Sequence, residues 1–437
     1  MRVTAVKIVE KLQKAGYQAY LTGGCVRDLL LNKEPHDYDI ATSARPEEIE
    51  NLFEKTFPIG KEFGVVLVRE NGFNYEIATF RSDSPYSDGR RPNAVIFSDP
   101  RQDALRRDFT INALFLNPLN NDEVIDFVGG QDDLRKHLIR FVGDPQTRVE
   151  EDHLRLLRAV RLKNQINGQY HPETYRALQV NASLIKTVAA ERTQNELNKI
   201  LLSPRRVPAL QDLFELGMLV EVLPELVALK DFAQPYQYHR EGSVWEHTLQ
   251  ALGSIKHKPS LILVWAVLLH DIAKPATFTE EKDRVHFHGH SELGGEMSEE
   301  ILRRFKFPRR LIEKVRWLVE HHMLILTIPE MPRVRQLVWW NHPWMKELLA
   351  LWRADLLGTT PHDLVTYREY RRLWLEAKKQ IPKKLPKLIS GEEVMQILNL
   401  PAGPRVGEIL AEIKQAQLMG EIKTKEEAKE ILKKFQS

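Results

Sequence analysis

The chain has 437 residues, 43% hydrophobic and 28% charged, with a net charge of +3 and a single cysteine, Cys25. This length allows two to four domains, and the composition excludes fibrous and disordered classes. One cysteine excludes an internal disulfide framework and fits a reducing compartment. The opening MRVTAVKIVEKLQKAG interleaves charges with helically spaced apolar residues and lacks the apolar core of a signal peptide. The longest clearly apolar run, residues 261–269, is far short of a membrane span. We therefore expect a cytoplasmic protein without membrane contact. Charge is uneven along the chain: residues 151–210 carry ten Lys+Arg against five Asp+Glu, and residues 301–350 carry ten against four. Regional basic excess attracts a phosphate backbone, although helical surfaces are often basic for solubility alone.

The first ~140 residues mix strand and helix patterns. Residues 18–21 form a short strand candidate before Gly23-Gly24. Residues 65–69 and 75–80 read as two strands joined at Asn71-Gly72, a hairpin signal. Residues 96–97 and 124–127 are weaker strands, and residues 82–93 (SDSPYSDGRRPN) read as a mobile loop. From about residue 150 the apolar spacing becomes helical, with Leu154, Leu157, Ala159 and Leu162 on one pattern. A histidine-rich helical block spans about residues 236–358, followed by a basic stretch and a small C-terminal unit. The expected order is an α/β head with a small mixed sheet, then a long all-α body.

The segment LTGGCVRDLLLNKEPHDYDIAT, residues 21–42, carries the first chemistry. Gly23 and Gly24 between strand and helix allow close backbone approach to a triphosphate, with a helix N-terminus behind them. Arg27 is placed to fork onto a phosphate. Asp37 and Asp39, two apart on a strand, share one face, and paired carboxylates of this kind suit Mg2+ and phosphoryl transfer. Glu76 is the candidate third carboxylate, positioning the attacking hydroxyl, with Ile77 and Phe80 marking its buried neighbours. An isolated Asp-x-Asp is commonly a surface turn; behind Gly-Gly-x-x-Arg it is not. Further on, Asp152 and Arg155, three apart, share a helical face, extended by Arg158 and Arg161. A carboxylate beside guanidinium donors can hydrogen-bond the edge of a base. Cys25 sits where a small residue is needed and receives no chemistry.

GGCVRD followed by DYD resembles the catalytic signature of class II tRNA nucleotidyltransferases and bacterial poly(A) polymerases, within the polymerase-β superfamily. RRDFTINAL, DFVGGQDDL, EDHLRLLRAVR and ERTQNEL follow in that family's order. The resemblance implies that Arg107 and Asn112 contact the nucleotide and that Asp152 and Arg155 replace a template in choosing the base. It also implies attack of an RNA 3′-hydroxyl on CTP or ATP, with tRNA as the partner. The full-length 82–93 loop argues against CC-only addition, and GKEFGVVLV is unlike the corresponding stretch of poly(A) polymerases. CCA addition is the first expectation; A-only addition and poly(A) synthesis are the alternatives.

A second constellation lies in the body. His270-Asp271 ends the apolar run 261–269, and a buried His-Asp pair requires a partner, for which a divalent transition metal is suited. With His247 and Asp355 the pair resembles the signature of HD phosphohydrolases, and His290, His321 and His322 are further ligand candidates. Some tRNA nucleotidyltransferases are similar in carrying such a domain with phosphatase or phosphodiesterase activity toward 2′,3′-cyclic phosphates. The rival of another class is a phosphohydrolase whose head only binds RNA. The expected domains are residues 1–140 (catalytic head), 141–225 (neck, base selection), 226–365 (HD domain) and 366–437 (tail, with residues 402–407 opening a helix that could meet tRNA). Oligomeric state stays open.

Overall fold

The computed structural model describes all residues except 59, 84–94, 231, 233–241, 257, 282–283, 381–385, 419–420 and 436–437. The chain divides into two compact units, Met1–Pro224 and Glu225–Ser437.

In the first unit, α1 (Arg2–Lys14) leads into β1 (Ala19–Thr22), α2 (Gly24–Leu30), β2 (Asp39–Thr42), α3 (Pro46–Leu52), β3 (Thr56–Phe57), β4 (Val65–Glu70) and β5 (Phe73–Thr79). A separate two-stranded ribbon, β6 (Arg81–Asp83) with β7 (Val95–Phe97), flanks the expected loop, whose residues 84–93 lie outside the described residues. Next come α4 (Pro100–Leu105), β8 (Phe115–Asn117) and β9 (Glu123–Ile125). The sheet runs β3-β4-β5-β2-β1-β8-β9, and β2–β5 is its one parallel pairing. The β4–β5 hairpin turns at Asn71 (φ 50°) and Gly72 (φ 81°), the double positive φ of a type I′ turn.

Alternation along the strands sorts the sheet's two faces. Ile40, Ile77, Tyr75 and Val66 point into one core with Ile8 and Leu12 of α1. Ala41, Phe80 and Phe115 build a second core with Val142. Phe80 therefore does not share the buried face of Ile77, as the sequence suggested; the pleat sends them to opposite sides. Fully burying side chains of this kind is worth roughly 1.5–3 kcal/mol each.

Beyond β9 the first unit is mainly helical: α5 (Gly130–Arg135), β10 (Leu138–Ile139), α6 (Pro145–Glu151), α7 (Arg155–Gln165), β11 (Gln169–Tyr170), α8 (Pro172–Val180), α9 (Ala190–Leu202), α10 (Arg206–Glu215) and α11 (Leu219–Val222), with α12 (Pro224–Val227) at the division. The second unit holds α13 (Val244–Ser254), α14 (Leu261–Leu269), a β12–β13 ribbon (Thr279–Glu281, Arg284–His286), α15 (His290–Arg304), α16 (Arg309–Glu320), α17 (Arg333–Trp340), α18 (Met345–Gly358) and α19 (Leu364–Gln380). α14 is apolar all round, and Val264 to Leu269 are buried, as expected for a central core helix. It ends the chain's longest apolar run at His270. A small C-terminal cluster follows, built by α20 (Gly391–Leu398), α21 (Pro404–Leu418) and α22 (Lys425–Lys433). α21 begins at Pro404, inside the turn expected at 402–407. No helix among the described residues is long and apolar enough to cross a membrane.

Candidate active site and histidine centre

A cavity of about 420 Å³ in the first unit collects most of the sequence-predicted residues. Gly23 opens it at φ 75° and ψ −135°, a conformation favoured only by glycine. A Cβ there would stand 3.6 Å from an Arg107 nitrogen and 3.7 Å from Asp39 Oδ2. Asp39 begins β2, and since Ile40 is level with Ile77, Asp39 is level with Glu76 on the neighbouring parallel strand. The two carboxylates share a face and both line the cavity. Burial first, then the charges of Glu76 and Asp37, push Asp39 up to about 7, against the opposing pull of Arg107. Carboxylates this close resist joint ionisation, and a divalent cation removes that conflict. The residues thus fit a metal. Asp37 is exposed, precedes the strand rather than lying on it, and does not line the cavity.

Arg27 departs from expectation. It is buried, donates to Asp28 Oδ1 at 2.7 Å and to Asn112 Oδ1 at 2.8 Å, and does not line the cavity. Its fork holds protein rather than facing open space. Arg107 does line the cavity, clamped on Asp103 by two bonds of 2.9 and 3.1 Å and donating to the Asn112 carbonyl at 3.2 Å. Asn112 lines it too, and its side-chain nitrogen donates to Asp108 at 3.3 Å.

The opposite wall also corrects the sequence reading. Asp152 and Arg155 are not on one helix: Asp152 caps the C-terminus of α6 at φ −153°, and Arg155 starts α7. Asp152 instead accepts two bonds from Arg192 of α9, at 2.8 and 3.0 Å. Arg155 donates to Glu151 at 2.5 Å and to the Arg148 carbonyl at 2.8 Å. Arg158 forks onto Asp108; although burial pushes that carboxyl up, Arg158 and Arg155 hold it well below the usual carboxylate range. Arg161 pairs with Glu196 at 2.6 Å and does not line the cavity. Sequence reasoning missed Arg192 and Asp108 as cavity residues. Asp108 lies in RRDFTINAL and Arg192 in ERTQNEL, but their partners Arg158 and Asp152 lie 50 and 40 residues away. Cys25 is buried, which pushes its thiol up to about 12 and leaves it inert.

The second unit holds a buried cluster of four histidines and two aspartates. His247, His270 and Asp355 form one triad of metal-competent atoms; Asp271, His290 and His322 form another. His247 Nε2 lies 3.1 Å from Asp355 Oδ1 and 3.2 Å from His270 Nε2. His290 Nε2 lies 3.3 Å from His322 Nε2. Asp271 divides its oxygens: Oδ2 stands 3.3 Å from His270 and 3.6 Å from His247, while Oδ1 stands 3.7 Å from His290 and 3.9 Å from His322. Lys274 donates to Oδ2 at 2.7 Å. The far nitrogens, Nδ1 of His270, His290 and His322, face the carbonyls of Val267, Phe287 and Val319 at 2.8, 2.8 and 2.6 Å. Donation there leaves Nε2 of His290 and His322 as a lone pair aimed inward, the arrangement that orients imidazole ligands. Although burial pulls His270 down, Asp271 and Asp355 draw it up to about 10, so without metal it holds a proton where a cation would sit. Burial pushes His322 down to about 4 and lowers His290, keeping both neutral. Facing lone pairs repel unless a cation or a proton sits between them, so this set also fits metal. His321 belongs to neither triad; its ring stacks on Trp317 at 4.5 Å.

Comparison with known proteins follows the same division. The poly A polymerase head domain family matches residues 19–140, the family described as the probable RNA and SrmB-binding site of polymerase A matches 169–229, and the HD domain family matches 243–354. A CCA-adding enzyme of a Geobacillus species is 33% identical over 426 residues, 96% of this chain and 93% of that protein. A CCA-adding enzyme of Levilactobacillus brevis is 47% identical over 212 residues, 48% of this chain and 53% of that protein. The crystal structure of the Bacillus stearothermophilus CCA-adding enzyme in complex with CTP has a TM-score of 0.68 at 26% identity, covering 99% of this chain and 96% of that one. With a glycine-opened carboxylate cavity, three domain matches in order and a relative aligned over nearly its whole length, the chain belongs to the tRNA nucleotidyltransferase and poly(A) polymerase family, beside its CCA-adding enzymes.

Proposed function

We propose that the chain adds C, C and A, without a template, to the 3′ end of tRNA. The carrying observation is the juxtaposition, around one cavity, of level carboxylates Asp39 and Glu76 with the guanidinium and carboxylate wall of Arg107, Asp152, Arg155, Arg158 and Arg192. In the reaction the tRNA 3′-oxygen bonds to the α-phosphorus of CTP or ATP, the bond from that phosphorus to the bridging oxygen breaks, pyrophosphate leaves, and the hydroxyl proton is lost. Asp37 and Asp39 would hold Mg2+, which when bound would neutralise triphosphate charge and lower the barrier to ionising the hydroxyl. Glu76 accepts the hydroxyl's hydrogen bond and aims its oxygen. Gly23 and Gly24 let the phosphates approach the backbone, and Arg107, held by Asp103, meets them. Arg27 acts one step back, holding Asn112 in place. Asp152, oriented by Arg192, and Arg155, oriented by Glu151, present an acceptor and donors to the base edge. Residues 1–140, 141–225, 226–365 and 366–437 serve as head, neck, HD domain and tail in this reading. CTP, ATP and tRNA as reactants fit a cytoplasmic enzyme.

The test is incubation with Mg2+, CTP, ATP and tRNAs ending before CCA, after C and after CC, resolved to single nucleotides. Completion of CCA on all three is expected. Extension of only the last, by one A, makes this an A-adding enzyme; a long A tail makes it a poly(A) polymerase.

The two-triad centre favours a second activity in the same chain: hydrolysis of a phosphoester, with 2′,3′-cyclic phosphates at RNA ends as the substrate class. His247, His270, Asp271, His290, His322 and Asp355 would hold one or two divalent transition metals, which when bound supply a hydroxide nucleophile at neutral pH. Lys274 fixes Asp271 so that its two oxygens serve the two triads. Metal-loaded protein should cleave 2′,3′-cyclic AMP or a nitrophenyl phosphate; inertness toward both removes this activity.

A further inference from the structure

At the other end of the helices that carry the histidines, a cavity of about 630 Å³ has walls from four elements of the second unit. The C-terminus of α13 (Ser254), the N-terminus of α14 (Ser260, Leu263), one flank of α18 (Lys346, Arg353) and α19 (Tyr367, Arg371, Trp374) meet there. The connection between α13 and α14 adds Lys256 and Lys258. Its ionisable lining is of one sign: Lys256, Lys258, Lys346, Arg353 and Arg371 line it, and no Asp or Glu does. Other cations of this unit are paired, as Lys314 is with Glu347 and Arg304 with Glu225. Five cations around one concavity, with no carboxylate lining it among the described residues, repel each other, and an anion relieves that cost.

Two further observations give the anion a form. Trp374 lines the cavity, and its indole Nε1 is buried with no acceptor, so a donor stands idle among the cations. Lys378 lies 4.9 Å over the same ring. The N-terminus of α14, a nine-residue helix, also opens here, adding a favourable dipole for negative charge. The cations are spread over two helices and a connection rather than converged on one point, which suits a chain of phosphates better than a single one. Trp374 and Tyr367 supply faces on which bases stack, the combination used to hold single strands.

We propose that this cavity binds a single-stranded RNA segment through its phosphodiester backbone, with a base against Trp374. The inference is separate from the catalytic cavity and leans on the proposed function only for the choice of tRNA as one probe. His247 is seven residues before Ser254 on α13, and His270 is seven after Leu263, so the strand site lies roughly 10 Å along each helix from the histidine centre. An RNA end held here would stand near that centre, little farther away than the Debye length of about 8 Å at physiological salt.

The test uses the full chain with Lys346→Glu and Arg371→Glu combined, both side chains being exposed. Binding of tRNA lacking CCA, and of a 12-nucleotide RNA of mixed sequence, is measured against KCl concentration. Losing two backbone contacts should weaken binding on the order of tenfold and make the log–log salt slope shallower by about 1.4. CTP binding should not change. The milder Lys346→Ala, Arg371→Ala pair, with a native circular dichroism spectrum, should move both quantities the same way and guards against misfolding. Unchanged affinity and slope for both RNAs overturn the proposal. Loss of tripolyphosphate binding with RNA binding intact also overturns it, in favour of a free oligophosphate. A wild-type chain that binds the 12-mer but ignores tRNA sinks the CCA-addition reading and leaves the cavity standing.

Discussion

The carboxylate cavity of the head and the histidine centre of the second unit both gather groups that fit a metal, in opposite ways. The head presents its carboxylates at a strand edge toward open space: Asp37 is exposed, and Asp39 is pushed up to about 7 by burial and its acidic neighbours. Such a site is frustrated alone, and a divalent cation would relieve it. The histidine centre is closed instead. His247, His270 and Asp271 are at most 2% exposed, and backbone carbonyls hold three of its imidazoles in place. That is the build of a site for a resident metal. The difference teaches that exposure and ligand rigidity, more than ligand type, separate a metal carried with substrate from one held by the fold.

The sharpest way to break this comparison is to disable one site and read both. Asp39→Asn should lower nucleotide incorporation by on the order of 10³-fold or more, a loss of the size seen when a key electrostatic group is removed, and leave cyclic phosphate hydrolysis untouched. Asp271→Asn should do the reverse. If either variant abolished both activities while keeping its circular dichroism spectrum, the two sites could not be treated as independent.

A second experiment tests residence. Extended chelation and desalting should lower the thermal midpoint, because a ligand bound only by the folded state stabilises it by about 2.7 kcal/mol at a hundredfold excess over its Kd. His290→Ala should remove most of that dependence, whereas Asp37→Ala should leave it intact. An unchanged melting curve on metal removal would make the histidine cluster a structural feature only.

A smaller effect is expected at the base-facing wall. Arg192→Met frees Asp152 from its fork, and discrimination of CTP and ATP against UTP and GTP should fall by about 1–3 kcal/mol, the worth of a good bidentate pair. Ratios of kcat/KM for the four nucleotides give the answer directly; equal losses for all four would mean that Arg192 holds the neck together and does not aim Asp152.

The smallest effect is in pH. Asp39 is raised above its unfolded value, so its contribution to stability is present in full below about pH 4 and is lost as pH climbs to about 7. Metal-free protein should therefore lose stability over that window, while Asp39→Asn flattens the profile and saturating Mg2+ offsets the loss in wild type by favouring the ionised carboxylate. A denaturant midpoint that follows the same curve in wild type and variant would show that another group dominates.

Much of the site was legible because its parts are local. The Gly23-Gly24 turn, Asp39 on its strand, the Asn71-Gly72 hairpin and the His270-Asp271 pair at the end of an apolar helix each follow from a few neighbouring residues and the 2.0 or 3.6 period. Where local period was pushed too far it misled: Asp152 and Arg155 at helical spacing straddle a helix boundary, and Arg27 at phosphate-binding spacing is turned onto Asp28 and Asn112.

By itself, then, the sequence determined the order of an α/β head and a helical body, and it placed Asp39 on a strand and His270-Asp271 at the end of an apolar helix, since backbone period and apolar patterning act over short range. Tertiary structure alone decided which charges meet: Asp152 with Arg192, Asp108 with Arg158, the two oxygens of Asp271 shared between two histidine pairs, and five cations left facing one cavity. Those pairings join residues tens of positions apart, and no local rule orders them. They are settled when helices and strands bury their apolar faces and carry their polar residues to common ground.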